Sequence, residues 1–62
     1  MDNQLFEKIR QKQKYNELLF QITQYNLRSR IPPEKLIKEA KKLGRQLDIS
    51  EAELQNIEFT TF

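Results

Sequence analysis

The sequence predicts an all-α fold of three helices: a long one over about residues 3–26, a second over 33–47 and a short third over 50–58. Three observations carry this. Strand-like alternation over four or more residues is essentially missing, and the stretch 33–47 repeats its apolar residues at helical steps. The breaks fall where helix punctuation falls, at Pro32-Pro33 and at Ser50. The first two helices are expected to pack as an antiparallel hairpin, with the third folded onto it, as one small domain over 1–62.

In helix one, Tyr15, Leu18, Ile22 and Tyr25 follow three-four-three steps, and Leu19 broadens the stripe. Leu5, Phe6 and Ile9 form an earlier apolar cluster, separated from that stripe by the wholly polar Arg10-Gln11-Lys12-Gln13-Lys14. Gln, Lys and Arg are good helix formers, so a continuous helix can cross this stretch. It would have a wet middle turn and apolar patches at both ends. Asn26-Leu27-Arg28-Ser29-Arg30 supplies the polar residues expected where a helix stops, and 27–32 reads as a linker.

Helix two is expected to start with Pro33 at its first position, where the missing N–H costs nothing. Leu36, Ala40, Leu43 and Leu47 recur at steps of four, three and four, one face of a 3.6-residue period. Ile37 and Gly44 widen that face, and the small Ala40 and Gly44 would admit another backbone. Lys38, Glu39, Lys41, Lys42 and Arg45 take the other side.

Ser50 followed by Glu53 reads as a capping box, and Ile49 with Leu54 has the spacing of a hydrophobic staple. Glu51 and Glu53 suit the positive end of the helix dipole. Helix three should therefore start at Ser50 and bury Leu54 and Ile57, while Phe59-Thr60-Thr61-Phe62 reads as extended or frayed. The expected seam contains Leu18, Leu19, Ile22, Leu36, Ala40, Leu43 and Leu47, with Leu54 and Ile57 closing one end.

Composition restricts the chemistry. The 62 residues include no Cys, no His and a single Gly. The usual zinc sites, thiol nucleophiles, disulfides, His general bases and Gly-rich phosphate loops are therefore missing. Glu51 and Glu53 point in different directions on a helix, Glu53 is explained by capping, and Glu34 with Lys38 reads as a surface ion pair. The expectation is a non-enzyme with no catalytic residue, cofactor, metal or small-molecule substrate. The start of the chain does not read as a secretory signal, and no apolar run approaches a membrane span. A soluble, cytoplasmic protein without a membrane partner is the default expectation.

The net charge of +2 hides a division: residues 1–30 and 31–47 each carry +3, and residues 48–62 carry −4. This suits either complementarity within the chain or a partner-binding face. Lys8, Arg10, Lys12 and Lys14, with Tyr15 beside them to stack on a base, are the candidate nucleic-acid-binding residues. A helix-turn-helix fits poorly. Its turn would fall at Gly44, where Arg45-Gln46-Leu47 read as continuing helix, and Glu51, Glu53 and Glu58 would face phosphates.

Phe20 lies off the Leu18/Ile22 stripe, and Phe59 and Phe62 lie beyond the last helix. Apolar groups that one small core cannot cover are candidates for partner binding. The expected function is a protein–protein interaction module, a small regulator or adaptor that docks on a partner protein, with nucleic-acid binding as the alternative. Two short segments point the same way. Ile49-Ser50-Glu51-Ala52-Glu53-Leu54 is similar to the hairpin of the small Sin-type antirepressors of spore-forming bacteria. Gly44-Arg45-Gln46-Leu47-Asp48 looks like a degraded form of the signature of the small sporulation aspartyl-phosphate phosphatases, with Leu47 and Asp48 matching outright. Each covers less than a third of the chain and assigns no family; both imply that helical proteins of this size work by docking onto a regulator.

A chain this short buries only about 60% of its unfolded surface, and oligomerisation is a common remedy. The stripes of helices one and two could form half of a four-helix homodimer. In the monomeric alternative, Leu54 and Ile57 cover the seam instead.

Overall fold

A computed structural model describes residues 3–61. It contains α1 (Asn3–Leu27), α2 (Glu34–Gln46), α3 (Glu51–Gln55) and a single 3-10 turn, Ile57–Phe59. Helix α1 runs unbroken through the polar Arg10–Lys14 stretch. Its 25 residues span roughly 37 Å at about 1.5 Å per residue, against about 20 Å for the 13 residues of α2. The pair is antiparallel: Lys14, in the middle of α1, shares a hollow with Gln46 at the end of α2. The first ten or so residues of α1 therefore project beyond the body as an arm, in a molecule 45 × 20 × 19 Å across.

The core is built from Tyr15, Leu18 and Ile22 of α1, Ile37 and Ala40 of α2, Leu54 of α3 and Ile57 of the 3-10 turn. Leu19, Leu36, Leu43, Leu47 and Ile49 pack against it half-buried. The buried face of α2 is thus turned by about one residue from the expected one. Ile37, Ala40 and Gly44 lie deepest, and Leu36, Leu43 and Leu47 flank them. The turn follows from α3 and the 3-10 turn, which cover the Gly44 side of the hairpin. Leu54 and Ile57 are the lid: they cover the stripe that a four-helix homodimer would have needed. What approaches Gly44 is likewise no backbone but the Leu54 side chain and the Tyr15 ring.

Both long helices end in the same device. Arg30 N–H bonds Tyr25 O at 2.8 Å and Ser29 N–H bonds Asn26 O at 3.1 Å. Ile49 N–H bonds Gly44 O at 2.9 Å and Asp48 N–H bonds Arg45 O at 3.2 Å. These are paired Schellman closures, with Ser29 at φ 55° and Asp48 at φ 61° in the left-handed position where glycine is usual. The chain's one glycine lies inside α2 instead. Pro33 stands at the N-cap rather than at the first helical position, and its carbonyl accepts from Ile37 N–H at 3.2 Å.

Ser50 caps α3 as expected, its Oγ accepting from Glu53 N–H at 3.3 Å. The return bond from Ser50 N–H to the Glu53 carboxylate does not form among the described residues. The expected single helix over 50–58 is split in two. Asn56 Nδ2 donates to Ala52 O at 3.0 Å, the carbonyl that the Asn56 backbone N–H would take in a continuing helix. The displaced N–H bonds Glu53 O at 3.2 Å instead, which tightens the chain into the 3-10 turn.

Candidate functional site

Asn26 and Thr23 of α1 hold the end of the chain in place. Asn26 Nδ2 donates to Glu58 O and to Thr60 O, each at 2.9 Å. The buried Thr23 hydroxyl donates to Leu19 O at 2.9 Å and also lies 3.3 Å from Thr60 O. An amide with two N–H donors thus satisfies two carbonyls at and beyond the 3-10 turn, which that turn's own hydrogen bonds leave free. The clasp fixes where Phe59 stands.

Phe59 is 70% exposed at the hairpin tip, beside a hollow of about 270 Å3 that it lines with Asn26, Ser29, Ile31, Pro32 and Glu58 among others. Ile31 next to it is 92% exposed, held out by the Pro32-Pro33 linker. Phe20, at 56% exposure, stands apart from this tip on the outer face of α1, turned away from Leu18 and Ile22. The structure therefore places Phe20 and Phe59 in two patches. Phe62 lies outside the described residues.

Phe20 is not the only exposed apolar side chain on its face of α1, although the others stand about 10 Å or more away along the helix. Phe6, Ile9 and Leu27 are also exposed large apolar side chains of α1. At about 100° per residue they fall on the same outer face as Phe20, opposite the core stripe. That helical projection was the available signal; Phe6 and Ile9 read as a separate cluster because polar residues intervene.

Lys8, Arg10, Lys12 and Lys14 are all exposed on the arm or its base. Tyr15 does not stand beside them as a stacking platform. It is only 7% exposed, with its ring against Gly44. Burial pushes its phenol above the usual value of 10.0, and the negative Glu53 adds to the rise. Glu53 and Tyr15 line an open hollow of about 440 Å3 with Leu19, Ala52, Asn56, Ile57 and Thr60.

Two surface ion pairs form among the described residues. Glu34 and Lys38 meet at 3.2 Å as expected, and Arg45 Nε bonds Glu51 Oε1 at 3.1 Å across the α2–α3 turn. Both pairs are largely exposed and contribute little to stability. Among the described residues, no helix is long and apolar enough to cross a membrane, and no cluster of acidic side chains is placed to hold a metal ion.

No protein-family model, curated protein or solved structure matches this chain.

Proposed function

We propose that this chain is a non-enzymatic protein–protein interaction module, a small regulator or adaptor that docks on its partner through the apolar outer face of α1. The observation that carries the reading is the exposure of Phe20, with Phe6, Ile9 and Leu27, on a helix whose other face is already sealed by α2, Leu54 and Ile57. These aromatic and aliphatic groups are not needed to complete the core. Exposed aromatic and aliphatic groups aligned on one face of a small folded body are what a partner surface offers. Phe59 and Ile31 at the hairpin tip offer a second, smaller contact.

The test is affinity capture with wild type and with Phe20→Ser and Phe59→Ser, each first shown by circular dichroism to be folded. A specific partner recovered by wild type and lost with Phe20→Ser supports the reading. The same proteins recovered by all three would contradict it.

Nucleic-acid binding remains the alternative, carried by the exposed Lys8, Arg10, Lys12 and Lys14 without the aromatic. Phosphate contacts make affinity fall steeply with salt. Fluorescence anisotropy with an oligonucleotide at low salt decides it, and no binding there ends it.

A further inference from the structure

The outer face of α1 has a finer pattern than exposure alone. Phe6, Ile9, Gln13, Asn16, Phe20 and Leu27 follow steps of three, four, three, four and seven, the a/d spacing of a coiled coil. Each of them is exposed. Thr23, the d position omitted from that series, is the one covered by the end of the chain, through Thr60 O. The face is therefore a seam with aromatic or aliphatic groups towards its ends and two amides, Gln13 and Asn16, at its middle.

We infer that the occupant of this seam is a second copy of the chain, laid antiparallel across it about a two-fold axis between Lys14 and Tyr15. The inference rests on the proposed docking face and names what covers it. In that register Ile9 meets Phe20 of the second copy, and Gln13 meets Asn16 of the second copy. Side-chain amides pair well with one another, and polar groups at such positions fix register and orientation at some cost in stability. The flanking charges agree. Arg10 falls opposite Glu17 of the second copy, and the two-fold axis makes this pair twice. A parallel arrangement would pair Lys12 with Glu17 of the second copy, but it would also gather Lys8, Arg10, Lys12 and Lys14 of both arms at one end, with only Glu7 between 7 and 14 to offset them. The helices permit the antiparallel pairing, because α2 and α3 lie on the opposite side of α1 from the seam, and the chain end reaches the seam at Thr23, opposite Phe6 of the second copy.

The experiment is sedimentation equilibrium of the full chain over a hundredfold concentration range, at low salt, for wild type and charge-reversal variants. Wild type should approach twice the 7.5 kDa chain mass. Arg10→Glu and Glu17→Arg should each weaken the dimer about tenfold or more, and the double reversal should restore it to within about threefold of wild type. Phe20→Glu should remain folded and be monomeric throughout. A wild type that stays at one chain mass overturns self-association and leaves the docking reading to the capture experiment above. Rescue of Glu17→Arg by Lys12→Glu, and not by Arg10→Glu, means that the chains run parallel and overturns the pairing.

Discussion

Leu54 lies directly over Gly44, with its Cδ2 in the space that a β-carbon on residue 44 would fill. The same β-carbon would stand 3.1 Å from Tyr15 Cε1, so α1 and α3 both close on α2 at this point. A glycine inside a helix costs about 1 kcal/mol relative to alanine. Here the absence of a side chain lets Leu54, 1% exposed, seat against the hairpin.

Gly44→Ala should therefore destabilise the protein by about 1 kcal/mol, because overpacking at roughly 1–3 kcal/mol outweighs the gain in helix propensity. In a Leu54→Ala background the sign should reverse, since the colliding side chain is gone. Urea unfolding of the four proteins checks this. Equal effects of Gly44→Ala in both backgrounds would show that the close approach has no energetic consequence.

Asn26→Ala removes both bonds to the chain end and should cost about 1–2 kcal/mol. The loss is local as well as global. Amide hydrogen exchange at Phe59 and Thr60 should accelerate well beyond that in α2. Unchanged exchange there would mean that Ile57 burial alone holds the 3-10 turn.

Ser29 and Asp48 hold left-handed backbone without being glycine. Such a conformation costs an ordinary residue roughly 1–2 kcal/mol, partly offset by the chain entropy that a glycine would lose. Ser29→Gly should raise stability by about 0.5–1 kcal/mol, read as a higher melting temperature. Asp48→Gly should gain less, because aspartate tolerates this region better than serine does.

The buried Tyr15 phenol gives an alkaline signature. Its proton is held more tightly in the folded chain than in the unfolded one, through burial and then through Glu53. The unfolded chain thus binds fewer protons above about pH 10, and stability falls as pH rises through the folded value. Below the unfolded value of 10.0 the contribution is fully present. Tyr15→Phe should lose less stability than wild type between pH 8 and pH 11. An identical loss in the two proteins would place the alkaline transition on other groups.

How much of this could be read from sequence depends on the range of the interaction. Leu18, Ile22 and Ala40 are buried as their periodicity indicates, Leu54 and Ile57 as the Ser50 cap and the staple spacing indicate, and the Glu34–Lys38 pair follows from local spacing. The interruption at Asn56 is also local, but an asparagine inside a short helical pattern has several hydrogen-bonding options, and the sequence does not say which it takes. The Asn26 clasp joins residues more than thirty apart, and no local pattern marks it. Asn26 looked like a helix stop because an asparagine near a helix end usually is one. The one-residue rotation of α2, which buries Ile37 deeper than Leu36, depends on where α3 lands. Tyr15 lay on the stripe and beside the lysines at once, and only packing against Gly44 decides between the two. For the candidate site, exposure of Phe20 and Phe59 was legible. The alignment of Phe6, Ile9 and Leu27 with Phe20 emerges only once α1 is known to run unbroken through residues 10–14.

That α1 carries two faces with opposite duties is tested most directly by urea unfolding of Ile22→Ser and Phe20→Ser side by side. The protein concentration should be low enough that self-association does not contribute. Ile22 is fully buried and Phe20 more than half exposed, although they are two residues apart. Ile22→Ser should lose about 3 kcal/mol or more, enough to unfold most of a chain this small, while Phe20→Ser should stay within about 0.5 kcal/mol of wild type. Comparable losses in the two variants, or a larger one for Phe20→Ser, would put Phe20 in the core and contradict the division of α1 into a sealed face and a free one.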